Sequence, residues 1–316
     1  MRILVTGASG FVGGRFLARF RAEPGLEIRG IARRPIADPS CACVDLSRPF
    51  DLDWLPDAVV HAAARVTPWG TAAQYRRDNV DATRNVIEFC RRHGLPRLVY
   101  VSTTAVFYRA GHQLGLTEET PIGPRFINEY ARSKRAGEEL VAGYPGSWIV
   151  VRPRAVFGPE DTTLFPRLLA AAKRGTLPIL ANGGAPVISD LIYIDTLLDY
   201  LLTAVRRADL TGAYNLTNAE PVETQAFIAD VLARLGLPAP RRVVPVRRAM
   251  LAAGAVEVAY RLLPFLGEPP ITRFGVADLG WSKTFDVSKA LRDLGPPSVP
   301  LADGVAAFVR WQRARA

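Results

Sequence analysis

An apolar run that breaks at once into three evenly spaced glycines, RILVTGASGFVGG over residues 2–14, constrains this chain more than any other stretch. Gly7, Gly10 and Gly13 let the backbone turn tightly, approach a bound phosphate closely and open a close-packed helix. The amides and the positive dipole end of that helix then face the anion.

Further short apolar runs follow: LEIRGIA (26–32), AVVHAAA (58–64), RLVYVST (97–103) and SWIVVRP (147–153), separated by helical patterns at about 11–22, 78–93 and 128–143. Strands that are apolar throughout belong to a parallel sheet buried on both faces. The expected architecture is α/β, a Rossmann-type doubly wound parallel sheet. From residue 157 the pattern is less regular, with NGGAP at 182–186 and scattered prolines. Two units are expected: a dinucleotide-binding unit over 1–156, and a smaller substrate-binding lobe over 157–316 interleaved with the last strands of the sheet.

The formal net charge is +10, but the arginines are spread along the chain without interleaved aromatics, which argues against nucleic acid. A basic surface equally suits an anionic small molecule. Cys41, Cys43 and Cys90 make an odd count without zinc-type spacing, and no metal site is expected. The CAC pair reads as loop or core thiols. Met1 runs straight into a strand-like segment, so a cytoplasmic protein is expected. No window reaches the roughly 18 uncharged apolar residues of a membrane span. The nearest, AMLAAGAVEVAYRLLPFLG (249–267), reads most simply as an amphipathic helix packed on the core; a pocket wall and a peripheral membrane contact stay open.

The second strand ends in IARRP. An acid at that point would hold a ribose 2′-hydroxyl, whereas arginine accommodates a 2′-phosphate. Arg33 and Arg34 stand there with no acid beside them, which favours NADP, with NAD as the alternative.

Tyr130 and Lys134 lie one helical turn apart in NEYARSKRAG and can reach one pocket. A free phenol titrates near pH 10, so a phenolate useful near neutrality must be favoured by about 4 kcal/mol. An ammonium about 4 Å away supplies that much at an effective dielectric of about 20. Upstream, Ser102, Thr103 and Thr104 sit at the carboxyl end of a strand, where α/β sheets place their ligands.

Together these residues resemble the extended short-chain dehydrogenase/reductase family: a TGxxGxxG loop (Thr6 to Gly13), a strand-end hydroxyl and a YxxxK pair. Asp45–Leu46, HAAA at 61–64, Asn79 and RPRAVFGP at 152–159 agree with it. The resemblance implies that Tyr130 exchanges a proton with the substrate oxygen and Thr103 hydrogen-bonds that oxygen, with Thr104 in reserve. It implies that Lys134 binds the nicotinamide ribose. Cofactor contacts are implied for Gly7, Ser9, Gly10, Phe11, Val12, Gly13, Asp45, Leu46, Ala62, Ala63, Ala64, Tyr130, Lys134 and Pro153. His61 is implied to be structural, Asn79 to order the central helix, and a homodimer is expected.

The C-terminal stretch 267–295 looks like the ending of the 3β-hydroxysteroid dehydrogenase and 3-ketoacid reductase branch. That points to an NADP(H)-dependent oxidoreductase interconverting a secondary alcohol and a ketone on a bulky, apolar small molecule. The runner-up is a nucleotide-sugar 4-epimerase or ketosugar reductase, favoured if Arg167 or Arg273 converge on a diphosphate site. A dehydratase would want an acidic pair where Thr104 and Ala105 stand. A dinucleotide-sensing protein without activity is the third reading, disfavoured because both Tyr130 and Lys134 are present.

Overall fold

A computed structural model describes residues 1–184 and 186–315; Ala185 of the NGGAP stretch lies outside the described residues. Seven strands form one sheet: β1 (Arg2–Thr6), β2 (Glu27–Ala32), β3 (Cys41–Cys43), β4 (Ala58–His61), β5 (Arg97–Val101), Trp148–Pro153 and Gly212–Leu216. Their spatial order is β3, β2, β1, β4, β5, Trp148–Pro153, Gly212–Leu216, all parallel. The order reverses between β1 and β4, which makes the carboxyl ends of those two strands a crevice for ligands.

The alternation of side chains along the strands divides the core in two. Ile3, Val5, Ala58, Val60, Val99, Val101, Ile149 and Val151 enter one layer with Phe16, Leu17 and Phe20 of helix α1 (Phe11–Phe20) and the helix Ile194–Arg206. Leu4, Val59, Leu98, Tyr100 and Val150 enter the other, with Val86, Phe89 and Cys90 of the helix Ala82–Arg92 and Val141 of the Tyr130 helix (Glu129–Ala142). Such period-2 alternation into two apolar layers is what a sheet covered by helices on both sides requires.

Three features depart from the reading of the sequence. CAC is the short edge strand β3 rather than a loop: Cys41 is half-buried, and the exposed Cys43 donates from Sγ to the Arg33 carbonyl at 3.4 Å. The helix expected from 78 starts at Ala72 and passes through a π-helical turn, Arg76–Asp81. That wider turn rotates Asn79 into the core, where Arg65 and Ser133 satisfy its amide. The helix read from 249–267 spans Val246–Leu262 and is only partly core: Val246, Ala249, Ala253 and Glu257 are buried, whereas its other face is open.

After residue 157 the chain contributes Ile194–Arg206 and Gly212–Leu216 to the main body. The rest of this half builds helices and small sheets, one ordered Val222–Glu223, Ile188–Ser189, Lys283–Phe285, Gln113–Leu116, the last strand coming from the first half of the chain.

Candidate active site

The glycine turn has the geometry its spacing demands. Gly7 is at φ +73°, and a Cβ on it would sit 2.9 Å from the Ala63 backbone. A Cβ on Gly13 would sit 2.5 Å from the Gly7 carbonyl oxygen, so α1 packs on the turn only because that side chain is missing. The Gly10 amide donates to the Gly7 carbonyl at 2.8 Å.

A cavity of ≈ 400 Å³ runs from this turn along the ends of β1, β2 and β4. Ten of the expected cofactor residues line it: Gly7, Ser9, Gly10, Arg33, Arg34, Asp45, Leu46, Ala62, Ala63 and Ala64. Phe11, Val12 and Gly13 do not; they form the first turn of α1, with Gly13 buried beneath it. Tyr130, Lys134 and Pro153 also lie outside this cavity. Arg33 reaches Asp78 at 3.4 Å, and Asp78 is held more closely by Arg65 at 2.8 Å and Arg77 at 2.7 Å. Arg34 is exposed at the cavity wall. Asp45 spends its carboxylate on the Ser47 amide at 3.0 Å, which holds its pKa low. Arg65 and Asp78 are residues of this wall that sequence reasoning missed: they stand 13 positions apart and no local pattern announces them.

Beneath the cavity His61 is fully buried. Its Nδ1 meets Thr6 Oγ1 at 2.7 Å and its Nε2 meets Thr83 Oγ1 at 3.0 Å. Thr83 donates to the Asn79 carbonyl, so its free lone pair accepts from Nε2–H, and Nδ1 accepts from Thr6. Thr6 Oγ1 in turn accepts from the Ala63 amide at 3.0 Å. Burial, with the Lys134 charge adding to it, holds the imidazole neutral, down to about 3. A neutral ring with both nitrogens engaged is a structural pin, as the resemblance implied.

The Tyr130 helix opens on Asn128, whose side chain accepts from the Ala131 amide at 2.9 Å. Its position is set by Glu138, fully enclosed, which accepts from Ser102 Oγ at 2.6 Å and from two Arg152 nitrogens at 2.9 and 2.8 Å. Ser102 is therefore committed to joining helix and strand. Thr104 is 1% exposed, and its hydroxyl lies 3.4 Å from the Tyr108 hydroxyl and from the Pro153 carbonyl. Thr103 is half-exposed, its Oγ1 accepts from the Ala105 amide at 3.1 Å, and its hydroxyl pulls the Tyr130 phenol toward ionisation. Thr103, rather than Thr104, is thus the hydroxyl beside Tyr130. The Tyr75 ring, missed by sequence reasoning, lies 6.4 Å from the Tyr130 ring and forms its other neighbour.

The electrostatics are the reverse of the sequence expectation. Burial pushes Tyr130 up to about 12 despite Thr103, and burial pushes Lys134 down to about 7 despite Glu138. Lys134 Nζ donates to the Val101 carbonyl at 2.7 Å and lies 4.0 Å from the centre of the Tyr100 ring. The ammonium is spent on β5 and Tyr100, and desolvation of both groups outweighs any bias it could give the phenol. The site therefore holds a protonated phenol at neutral pH.

A family model described as "NAD dependent epimerase/dehydratase family" matches residues 3–217. The chain belongs to that family. Among curated relatives, 2-alkyl-3-oxoalkanoate reductase of Stenotrophomonas maltophilia is 32% identical, over 96% of this chain and 97% of its own length. The 3-beta-hydroxysteroid dehydrogenase of Mycolicibacterium neoaurum is 27% identical, over 93% and 86%. The solved structure of MoeE5 in complex with UDP-glucose and NAD superposes with a TM-score of 0.75 at 23% identity, covering 100% of this chain and 99% of the other, a likeness that speaks for the fold. As a member of the extended short-chain dehydrogenase/reductase branch, the chain is an enzyme of nicotinamide chemistry.

Proposed function

We propose that this enzyme reduces a ketone on a bulky, largely apolar molecule, a 3-oxo acyl compound or a 3-oxo steroid, to the secondary alcohol, with NADPH. The observation that carries the reading is the protonated Tyr130 phenol beside Thr103: it can give a nascent alkoxide its proton, and the same group takes the proton back in the reverse direction.

The glycine cradle, the long cavity and Arg34 on its wall fit a dinucleotide. Bound there, the cofactor supplies the hydride to the carbonyl carbon. Tyr130 gives its proton to the carbonyl oxygen, Thr103 holds that oxygen by a hydrogen bond, and Tyr75 walls the phenol from water. Arg34, which no acid of the cavity wall claims, is the group to receive a 2′-phosphate; Arg33 shares Asp78. We assign nucleotide binding mainly to residues 1–156 and substrate enclosure to 157–316. Three free cysteines suit a reducing cytoplasm; a homodimer rests on the resemblance alone.

The name of the Stenotrophomonas maltophilia relative, over nearly the full length of both chains, supports the 3-oxo acyl class. The sugar-nucleotide reading would be favoured if Arg167 or Arg273 converged on a diphosphate site; here Arg167 is paired with Glu268 and Arg273 with Glu257. The test is NADPH oxidation with 2-alkyl-3-oxo acids, 3-oxo steroids and UDP-sugars, together with mass spectrometry of any nucleotide carried through purification. Oxidation with the first or second group and none with UDP-sugars is expected. Tightly held NAD with interconversion of UDP-sugars would overturn the reading.

A further inference from the structure

The helix Val246–Leu262 and the turn Pro264–Leu266 display apolar side chains with nothing packed on them. Leu251 is 77% exposed, Leu262 75% and Phe265 80%; Val258 and Leu266 are about half exposed. On the helix Leu251, Ala255, Val258 and Leu262 follow one another at four, three and four residues, which aligns them on one face. The stripe is flanked by arginines: Arg247 and Arg248 one turn before Leu251, Arg261 beside Leu262, and Arg241 and Arg242 exposed just upstream. The acids of the same region are already spent, Glu257 on Arg273 and Glu268 on Arg167.

We propose that this face is a docking surface for an anionic lipid bilayer, with Leu251, Val258, Leu262 and Phe265 entering the interface and the arginines resting on the headgroups. An apolar stripe with a cationic border is the pattern that binds in the plane of such an interface. A second copy of the chain fits it less well. Arginines stand at both ends of the stripe, so either parallel or antiparallel pairing of two such helices would set arginine against arginine.

The same face adjoins the active site. The Arg261 guanidinium lies 5.7 Å from the centre of the Trp69 ring; the Trp69 carbonyl accepts from Thr67, and the Thr67 carbonyl accepts from the Tyr75 hydroxyl. Tyr75 is the neighbour of Tyr130. A docked enzyme would take an apolar ketone directly from the bilayer, a consequence that rests on the reductase reading; the docking itself does not.

The experiment is cosedimentation of the full chain, without substrate or nucleotide, with vesicles of phosphatidylcholine alone or containing about 30 mol% phosphatidylglycerol. Sedimentation with the anionic vesicles, released by high salt, is expected, with little on phosphatidylcholine. The double variant L262S/F265S should lower the partition coefficient about tenfold or more, and R247E/R248E should abolish binding, both with an unchanged melting temperature; L251D checks the same stripe at its other end. No sedimentation of the wild type, equal sedimentation of L262S/F265S, or a dimer that this variant dissociates in the absence of any vesicle binding would each overturn the proposal. Because the assay contains no substrate, its failure leaves the reductase reading standing, and NADPH oxidation on a soluble short-chain 3-oxo ester tests that reading separately.

Discussion

Tyr130 shows how burial decides chemistry at the scale of one side chain. Its phenol is held protonated by desolvation, and Lys134, one turn on, is desolvated along with it. Tyr130→Phe keeps the ring and removes only the proton, so turnover should fall about a hundredfold or more while NADPH affinity, read by fluorescence titration, stays at the wild-type value. Loss of binding in parallel with turnover would mean that Tyr130 holds the cofactor rather than the reacting oxygen. Arg34 is the corresponding residue for cofactor choice. Arg34→Ala should weaken NADPH about tenfold or more, the worth of one charge-assisted contact, and leave NADH unchanged. Equal weakening of both would assign the arginine to the shared part of the dinucleotide. The one-turn spacing of Tyr130 and Lys134 and the arginine pair were visible in the sequence, and so was the preference for Thr103 over Thr104. That Lys134 turns to the Val101 carbonyl and Arg33 to Asp78 was not, because those partners lie far along the chain.

The Tyr130 helix is useful only if its register against the sheet is held. That register depends on the buried Glu138, which ties it to Ser102 at the end of β5 and to Arg152 in the neighbouring strand. Glu138→Gln leaves Arg152 charged and enclosed, and removing one partner of such a pair costs about 3–5 kcal/mol. Urea unfolding should show that loss, and an unchanged midpoint would mean that Arg152 finds another partner. Strands β1, β4, β5 and Trp148–Pro153 were readable because a strand covered on both faces is largely apolar, and β2, in which Glu27 and Arg29 are exposed, because Ile28 and its last three residues are buried. β3 was not: it is an edge strand of three residues with two cysteines and one half-exposed side. Gly212–Leu216, GAYNL, carries too few apolar residues to read as a buried strand, and its register comes from pairing with Trp148–Pro153.

For the molecule as a whole, the neutral His61 makes stability depend on pH. Its folded value of about 3 lies below the unfolded value of 6.5, so on acidification the unfolded chain takes up the proton first. Its contribution is complete above pH 6.5 and is lost as the pH falls toward 3, up to about 5 kcal/mol in all. Melting temperature should therefore drop between pH 6.5 and 4 more steeply in the wild type than in His61→Asn, and parallel slopes would show that other groups set the acid limit.

The chain by itself determined five of the seven strands of the sheet, the glycine turn and the one-turn spacing of Tyr130 and Lys134. Each is written in local periodicity and spacing, and steric limits on the backbone leave few ways to satisfy them. Tertiary structure decided what depends on neighbours far along the chain: that Ser102 is bound to Glu138, that Arg33 is shared with Asp78 while Arg34 is not, and that one face of Val246–Leu262 meets no core. It also set the titration of the pair. How readily a phenol beside a lysine ionises depends on how much water each has lost, and desolvation is a property of the folded surroundings rather than of the spacing between two residues.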